Sequence, residues 1–341
     1  MRTSCYHLPA HLFIHRRWLV VLVLTMSLLV SAIPAGAGTA KISPPRLVSG
    51  VNLLPPLGCG SDPDHQDWEQ EATLAVNPTN PKNLVTAWIQ DYEDAIVTAY
   101  STDGGGTWSK NVIVPTNSCT GGLPLLIPGD VVSAADPWLS FGPDGTAYLA
   151  TSLVELDPTT EPITGGFTPV AFYVVVNTSS DGGQTWSPPM IVDTIGSNMD
   201  RTTIIADPTQ SGYAYVAWDK ARDVFFEGAT DRPYFSRTID GGQVWLPPVS
   251  IYDPPPGYIA GINQLLVLSD PDSTLVAIFG QMSNTPRAPV GVTFGATTLM
   301  SARSSDHGLT WSSPTTIATR PKGADVSNDA SSCKPSPTAR R

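Results

Sequence analysis

The chain has 341 residues, 41% of them hydrophobic and 14% charged, with 19 lysines and arginines against 30 aspartates and glutamates. That length can bury a sizeable core, and a net charge of −11 argues against nucleic acid or an anionic membrane surface as a partner. The 33 prolines and 29 glycines punctuate many short apolar runs, and no long window repeats at 3.6 residues, which points to an all-β chain.

Residues 1–37 read as a secretory signal peptide. Arg16 and Arg17 close a basic start, Trp18 to Ile33 form an apolar run, and Ala35-Gly36-Ala37 is a small-x-small cleavage site. An uncleaved membrane anchor is the alternative, disfavoured by the shortness of the run. Cleavage would leave 16 basic and 30 acidic residues, a net charge of −14, as suits a secreted extracellular protein. Residues 38–67 then form a linker. Within it Ser43-Pro44-Pro45-Arg46-Leu47-Val48 has the look of an outer strand that closes a ring. Of the cysteines, Cys5 leaves with the signal, Cys59 and Cys119 flank the first strand-rich unit, and Cys333 lies in the tail. A Cys59–Cys119 disulfide and two free thiols remain open alternatives by this count.

From residue 68 onward one unit recurs four times. Each begins with a hairpin: Thr73–Val76 with Leu84–Trp88, Trp138–Phe141 with Ala147–Ala150, Thr203–Ala206 with Ala214–Trp218, and Leu265–Leu268 with Leu275–Phe279. Each continues with a second hairpin closed by the pattern S/T-x-D-x-G-x-T/V-W. The four copies carry Asp103 and Trp108, Asp181 and Trp186, Asp240 and Trp245, and Asp306 and Trp311. The aspartates are expected to accept turn amides, the glycines to supply positive φ, and the tryptophans to plug the core. Four-stranded antiparallel units repeated at this scale predict the blades of a β-propeller, spanning residues 68–320. The polar stretch 321–341 reads as a disordered tail.

These motifs resemble the sialidase-like, Asp-box (BNR-repeat) β-propellers, over residues 68 to about 320. The resemblance implies a secreted, glycan-directed protein related to exo-α-sialidases, with a glycan or glycoprotein as partner and no cofactor. The family norm is six blades, and four are recognisable here. An incomplete propeller is therefore the preferred expectation, beside closure as a smaller ring or pairing with another chain. The resemblance also implies an early Arg-Ile-Pro motif, an arginine triad, an Asp acid/base and a Tyr/Glu pair. This chain has no Arg-Ile-Pro, so no catalytic residue carries over and little sialidase activity is expected. A non-catalytic glycan- or protein-binding propeller is the alternative.

The Asp-box aspartates are read as turn-formers, not catalysts, and function is expected on the opposite, long-loop face. There the connections 55–71, 115–137, 193–202 and 252–263 precede the inner strands, and 89–95, 152–170, 219–232 and 280–296 join the second and third. Candidate substrate-binding residues are Asp136, Asp200, Arg201, Asp219 and Arg222. Around them stand Glu69, Glu71, Lys220, Asp223, Arg232, Asn263 and Gln264. Carboxylates beside arginines fit a sugar acid or glycoside hydrolysis, which needs one group to protonate the leaving oxygen and another to stabilise the developing cation. Asp62, Asp64 and Asp67 could suggest calcium, whose oxygen ligands need a precise loop that this spacing does not prove, and no Cys/His spacing suggests zinc. Trp68, Trp88, Trp138 and Trp218 could stack on sugars, with blade core the preferred reading.

Overall fold

The computed structural model describes residues 44–49, 68–91, 93–124, 131–157, 168–195, 199–222, 230–286 and 292–320. The signal-like stretch, Cys59, the Asp62–Asp67 run, Asp223 and the tail lie outside them. The described residues from Leu47 onward form one compact unit. It contains four antiparallel sheets, each of four strands in sequential order. The first holds β1 (Gln70–Val76), β2 (Leu84–Gln90), β3 (Ala95–Ser101) and β4 (Val112–Ile113). The second holds β5 (Val131–Phe141), β6 (Ala147–Asp157), β7 (Thr168–Ser179) and β8 (Met190–Ile195). The third holds β9 (Met199–Ala206), β10 (Ala214–Arg222), β11 (Thr230–Thr238) and β12 (Val249–Ser250). The fourth holds β13 (Tyr258–Val267), β14 (Leu275–Pro286), β15 (Val292–Ser304) and β16 (Thr315–Arg320). The first strands β1, β5, β9 and β13 are neighbours in that order, so the sheets pack as propeller-type blades.

Strand alternation builds the packing. On β10, Tyr215 and Ala217 face the fourth sheet, where they meet Leu265, Leu275 and Phe279. Val216 and Trp218 face the second sheet, where they meet Tyr148, Val174 and Val176. Both faces of the strand are therefore apolar, as its near-continuous hydrophobic sequence requires. β2 repeats the scheme, with Val85, Ala87 and Ile89 turned to the second sheet and Trp88 turned away. Full burial of Trp218 and Phe235 contributes about 2–3 kcal/mol each.

The Asp-box turns are held as the residue types imply. Asp103 Oδ1 accepts from Ser101 Oγ (2.9 Å) and Thr107 N (2.8 Å), and its Oδ2 accepts from Thr107 Oγ1 (2.8 Å). The Thr107 amide leads the bonds that hold this carboxyl down at about 2. Asp181, Asp240 and Asp306 accept the equivalent amides of Thr185, Val244 and Thr310. The tryptophans differ from expectation. Trp108, Trp186, Trp245 and Trp311 are half-buried; the last three lie at the rims of seams between sheets, and Trp108 packs on its own sheet beside Val48. Trp186 reaches back to the first sheet, where its Nε1 donates to Thr98 Oγ1 (3.0 Å). Trp311 meets Phe235 of the third sheet edge-on. In the fourth box His307 replaces the first glycine at φ 57, and its Nδ1 lies 2.9 Å from Tyr215 Oη of the third sheet.

Residues 44–48 join no sheet, so the expected outer strand is not formed among the described residues. Val48 instead packs on the first sheet beside Trp88, Val97, Ala99 and Trp108. The long connections expected after each second strand are shorter than supposed: β6 with β7, β10 with β11 and β14 with β15 extend as paired hairpins. Cys119 sits in a 3-10 turn, Ser118–Thr120, capped by Asn117, and is disulfide-bonded. Among the described residues no helix is long and apolar enough to cross a membrane.

The second glycine of each box has a distinct task. All four adopt positive φ, which glycine tolerates best. A Cβ at Gly183 would lie 2.6 Å from Val85 Cγ2 of the preceding sheet, whereas at Gly105 the nearest heavy atom is 3.9 Å away. Gly183→Ala should therefore destabilise the protein by about 1–3 kcal/mol more than Gly105→Ala, since the two share the φ penalty and differ in overpacking. Urea denaturation of the pair measures this, and equal losses would contradict the seam contact.

Candidate functional site

The inner strands do not start where the sequence pattern breaks. They continue upstream through a β-bulge at the same level of each sheet. Two residues oppose one at Glu71 and Ala72, at Asp136 and Pro137, and at Arg201 and Thr202, while β13 shifts register around Asn263. Glu71, Asp136 and Arg201 hold φ of 54°, 52° and 57°, left-handed values that cost a side-chain-bearing residue about 1–3 kcal/mol. A bulge also leaves an amide without its ladder partner.

The bulge side chains resolve both problems by joining strand to strand. Glu71 Oε2 accepts from the Asp136 amide (3.3 Å), and Asp136 Oδ2 accepts from the Arg201 amide (2.8 Å). Arg201 Nη1 lies 3.9 Å from Asp219 Oδ2, and the amide of Ile262 donates to Asp219 Oδ1. One chain of polar contacts thus crosses all four sheets. Hydroxyls support it: Ser152 Oγ donates to Asp136 Oδ2 (3.2 Å) and lies 2.5 Å from Thr202 Oγ1.

A pocket of about 380 Å³ opens at this level, with Glu71, Asp136, Trp138, Arg201, Thr203 and Asn263 in its wall. That volume suits a small ligand. Burial, then the charges of Asp200 and Glu71, push the Asp136 carboxyl up to about 7, although the Arg201 amide and Ser152 pull the other way. Asp136 is therefore substantially protonated at neutral pH. Burial and repulsion from Asp231 likewise push Asp219 well above the usual carboxylate range. Asp231 rises to about 6, chiefly by burial, and its Oδ1 has no hydrogen-bond partner.

Of the sequence-derived candidates, Asp136 and Arg201 enter the pocket. Asp200 sits beside it, exposed, and accepts the Arg201 amide at 3.0 Å. Asp219 is buried behind Arg201. Arg222 closes β10 opposite Thr230, three residues beyond Asp219 along the strand. Lys220 is turned to Asp193 (3.0 Å) and lies over the Tyr234 ring, and Arg232 pairs with Asp253 (2.9 Å). The charge-rich stretch 219–232 is thus split, because successive strand residues face opposite sides. Asn263 lines the pocket, while Glu69 and Gln264 do not. Trp88 and Trp218 are buried, Trp68 is half-exposed, and Trp138 both lines the pocket and packs on the seam. Sequence reasoning missed Ser152, Thr202 and Asp231, which carry no motif; only the strand register reveals them. Among the described residues no group of three His, Cys, Asp or Glu could hold a metal ion.

The Asp136 carboxyl should titrate near 7 by carbon-detected NMR, and Glu71→Gln should lower that value by removing a negative neighbour. Because the unfolded chain releases this proton near 3.8, the stabilising contribution is full below that pH and is lost as pH rises toward about 7. Asp136→Asn should flatten that part of the stability–pH curve, and an unchanged slope would refute the assignment.

The BNR/Asp-box repeat family pattern matches residues 99–110, the first box. No curated protein matches the chain. Among solved structures, a protein of unknown function from Dyadobacter fermentans is 15% identical over 74% of this chain and 70% of its own, with a TM-score of 0.48. The α-L-arabinanase of Penicillium chrysogenum, complexed with arabinobiose, is 16% identical over 77% and 69%, with a TM-score of 0.48. The NanB sialidase of Streptococcus pneumoniae is 12% identical over 82% and 55%, with a TM-score of 0.46. These likenesses are too distant to transfer a site. The four boxes, the matched repeat and the four blade-type sheets together give an all-β Asp-box protein that resembles the sialidase-like propellers.

Proposed function

We propose that this chain is a secreted, glycan-directed propeller whose sugar site is the pocket at the inner-strand bulges, with Asp136 as its proton donor. The observation that carries the reading is the convergence of three strained, non-glycine bulge residues, Glu71, Asp136 and Arg201, on one pocket. Strain of this kind is maintained where geometry serves function. A carboxyl near 7 suits general-acid work at neutral pH, since it can protonate a leaving oxygen and be reprotonated by solvent. Glu71 and Asp200 supply the second carboxylate that glycoside hydrolysis uses. Aligned sugar hydroxyls can bridge such carboxylates, and Trp138 offers an apolar wall. The disulfide at Cys119 supports an oxidising, extracellular destination.

The purified protein should bind oligosaccharides and hydrolyse aryl glycosides drawn from a panel of pyranosides and furanosides. Asp136→Asn should lower kcat/KM by about 10²–10⁴-fold, and wild-type turnover should fall as pH rises above about 7. Binding without turnover would instead establish a non-catalytic glycan-binding propeller. That outcome is favoured by one feature: the carboxylates of Glu71 and Asp136 already hold backbone amides of adjacent strands.

A further inference from the structure

We infer that Asp219, buried behind Arg201, together with Asp231 on the neighbouring strand, makes the pocket selective for neutral sugars over sugar acids. The inference rests on the carbohydrate reading above. Arg201 is the sole cationic side chain among the residues lining the pocket. Its Nη1 lies 3.9 Å from Asp219 Oδ2, and it also interacts electrostatically with Asp231. Asp219 cannot withdraw: its side chain is 3% exposed and its Oδ1 is held by the Ile262 amide. The packing leaves space for this contact by omitting a side chain, since a Cβ on Gly261 would lie 2.6 Å from Asp219 Oδ2 and 3.1 Å from Arg201 Nη1. The Arg201 side chain, 53% exposed, is thus shared between this carboxyl and the pocket, and only part of its charge is left for a ligand.

A sugar acid entering the pocket would meet Glu71 from β1, Asp136 from β5 and Asp200 from β9, with Asp219 and Asp231 behind from β10 and β11. Strand β13 contributes only the neutral Asn263 and the Ile262 amide on this side. Those of these carboxyls that are ionised at pH 7.5 oppose a ligand carboxylate, and one half-exposed arginine shared with Asp219 offers less in return than a free one would. A neutral sugar avoids this cost, because its hydroxyls donate to carboxylates without adding charge. Asp219 is a positioning residue here: it acts through Arg201 and does not itself reach the pocket.

The test is isothermal titration of the protein with lactose, arabino-oligosaccharides and 3′-sialyllactose, at pH 7.5. The wild type should prefer a neutral saccharide to 3′-sialyllactose. The Asp219→Asn/Asp231→Asn variant should raise the affinity for 3′-sialyllactose relative to neutral ligands by about tenfold or more. Asparagine keeps the acceptor for the Ile262 amide, and a merely structural role would weaken both ligand classes alike, leaving the ratio unchanged. Should the double variant fail to fold, the wild type provides the same readout. Lowering the pH from 7.5 to 5.0 protonates the Asp136 and Asp231 carboxyls, so the ratio should move toward 3′-sialyllactose, whose own carboxylate stays ionised. A wild type that prefers 3′-sialyllactose, or a ratio indifferent to both charge removal and pH, overturns the inference and leaves the carbohydrate site standing. Failure of every saccharide to bind overturns the carbohydrate reading and this inference with it.

Discussion

A bulge in a central strand creates an orphan amide, and capture of that amide by the neighbouring strand is what organises this protein. Glu71 takes the amide of Asp136, and Asp136 takes the amide of Arg201. Asp219, fixed on the second strand of the third sheet, takes the amide of Ile262. The first two bonds satisfy backbone donors at the bulges, and the third satisfies a donor beside the register shift of the fourth sheet. The strain at the bulges is stable only because these partners determine it from both sides. Framework and pocket are therefore the same set of bonds. The carboxyl that could donate a proton is also a fastening between two sheets.

The opposite end of the sheets is organised by different means. There the Asp-box turns place a glycine against the preceding sheet and a tryptophan over its rim, at Gly183 with Val85 and at Trp186 with Thr98. Apolar seams run between the two ends, with both faces of β6 and β10 buried. Energy accumulates seam by seam, as in other repeat architectures. His307 shows how far the repeat can bend: it accepts a left-handed backbone in the fourth box in return for a contact with Tyr215 across the seam.

Much of this architecture was legible in the sequence, and the boundary of legibility has a physical cause. The hairpins around Leu84–Trp88 and Ala214–Trp218 announce themselves as short, near-continuous apolar runs bounded by turn residues. The Asp-box turns do so through residue types that only a tight turn rewards. Alternation stops at the bulges, because an extra residue reverses which side chain faces inward. The stretches before Trp138 and Thr203 therefore read as loops, yet β5 begins at Val131 and β9 at Met199. Proline is rare inside strands, and Pro137 is accommodated because it occupies the bulge, where no ladder amide is required. Asp136 and Arg201 could be singled out from sequence as charged residues near the axis, but their bond to each other could not. Lys220 and Arg232 were grouped with Asp219 by proximity in sequence, and the pleat sends them elsewhere.

Three of the bulge positions are occupied by glutamate, aspartate and arginine on one shared left-handed backbone, while Asn263 stands at a register shift of another kind in the fourth sheet. The shared backbone geometry thus tolerates acid and base at the same structural address. Pocket chemistry is written at four codons, each separable from the hydrophobic alternation that folds the blades. A lineage carrying this scaffold could exchange one ligand class for another by single substitutions at those codons, provided the replacement still accepts the next strand's amide where the chain of contacts requires it. The constraint on such drift is a hydrogen bond, not a fold.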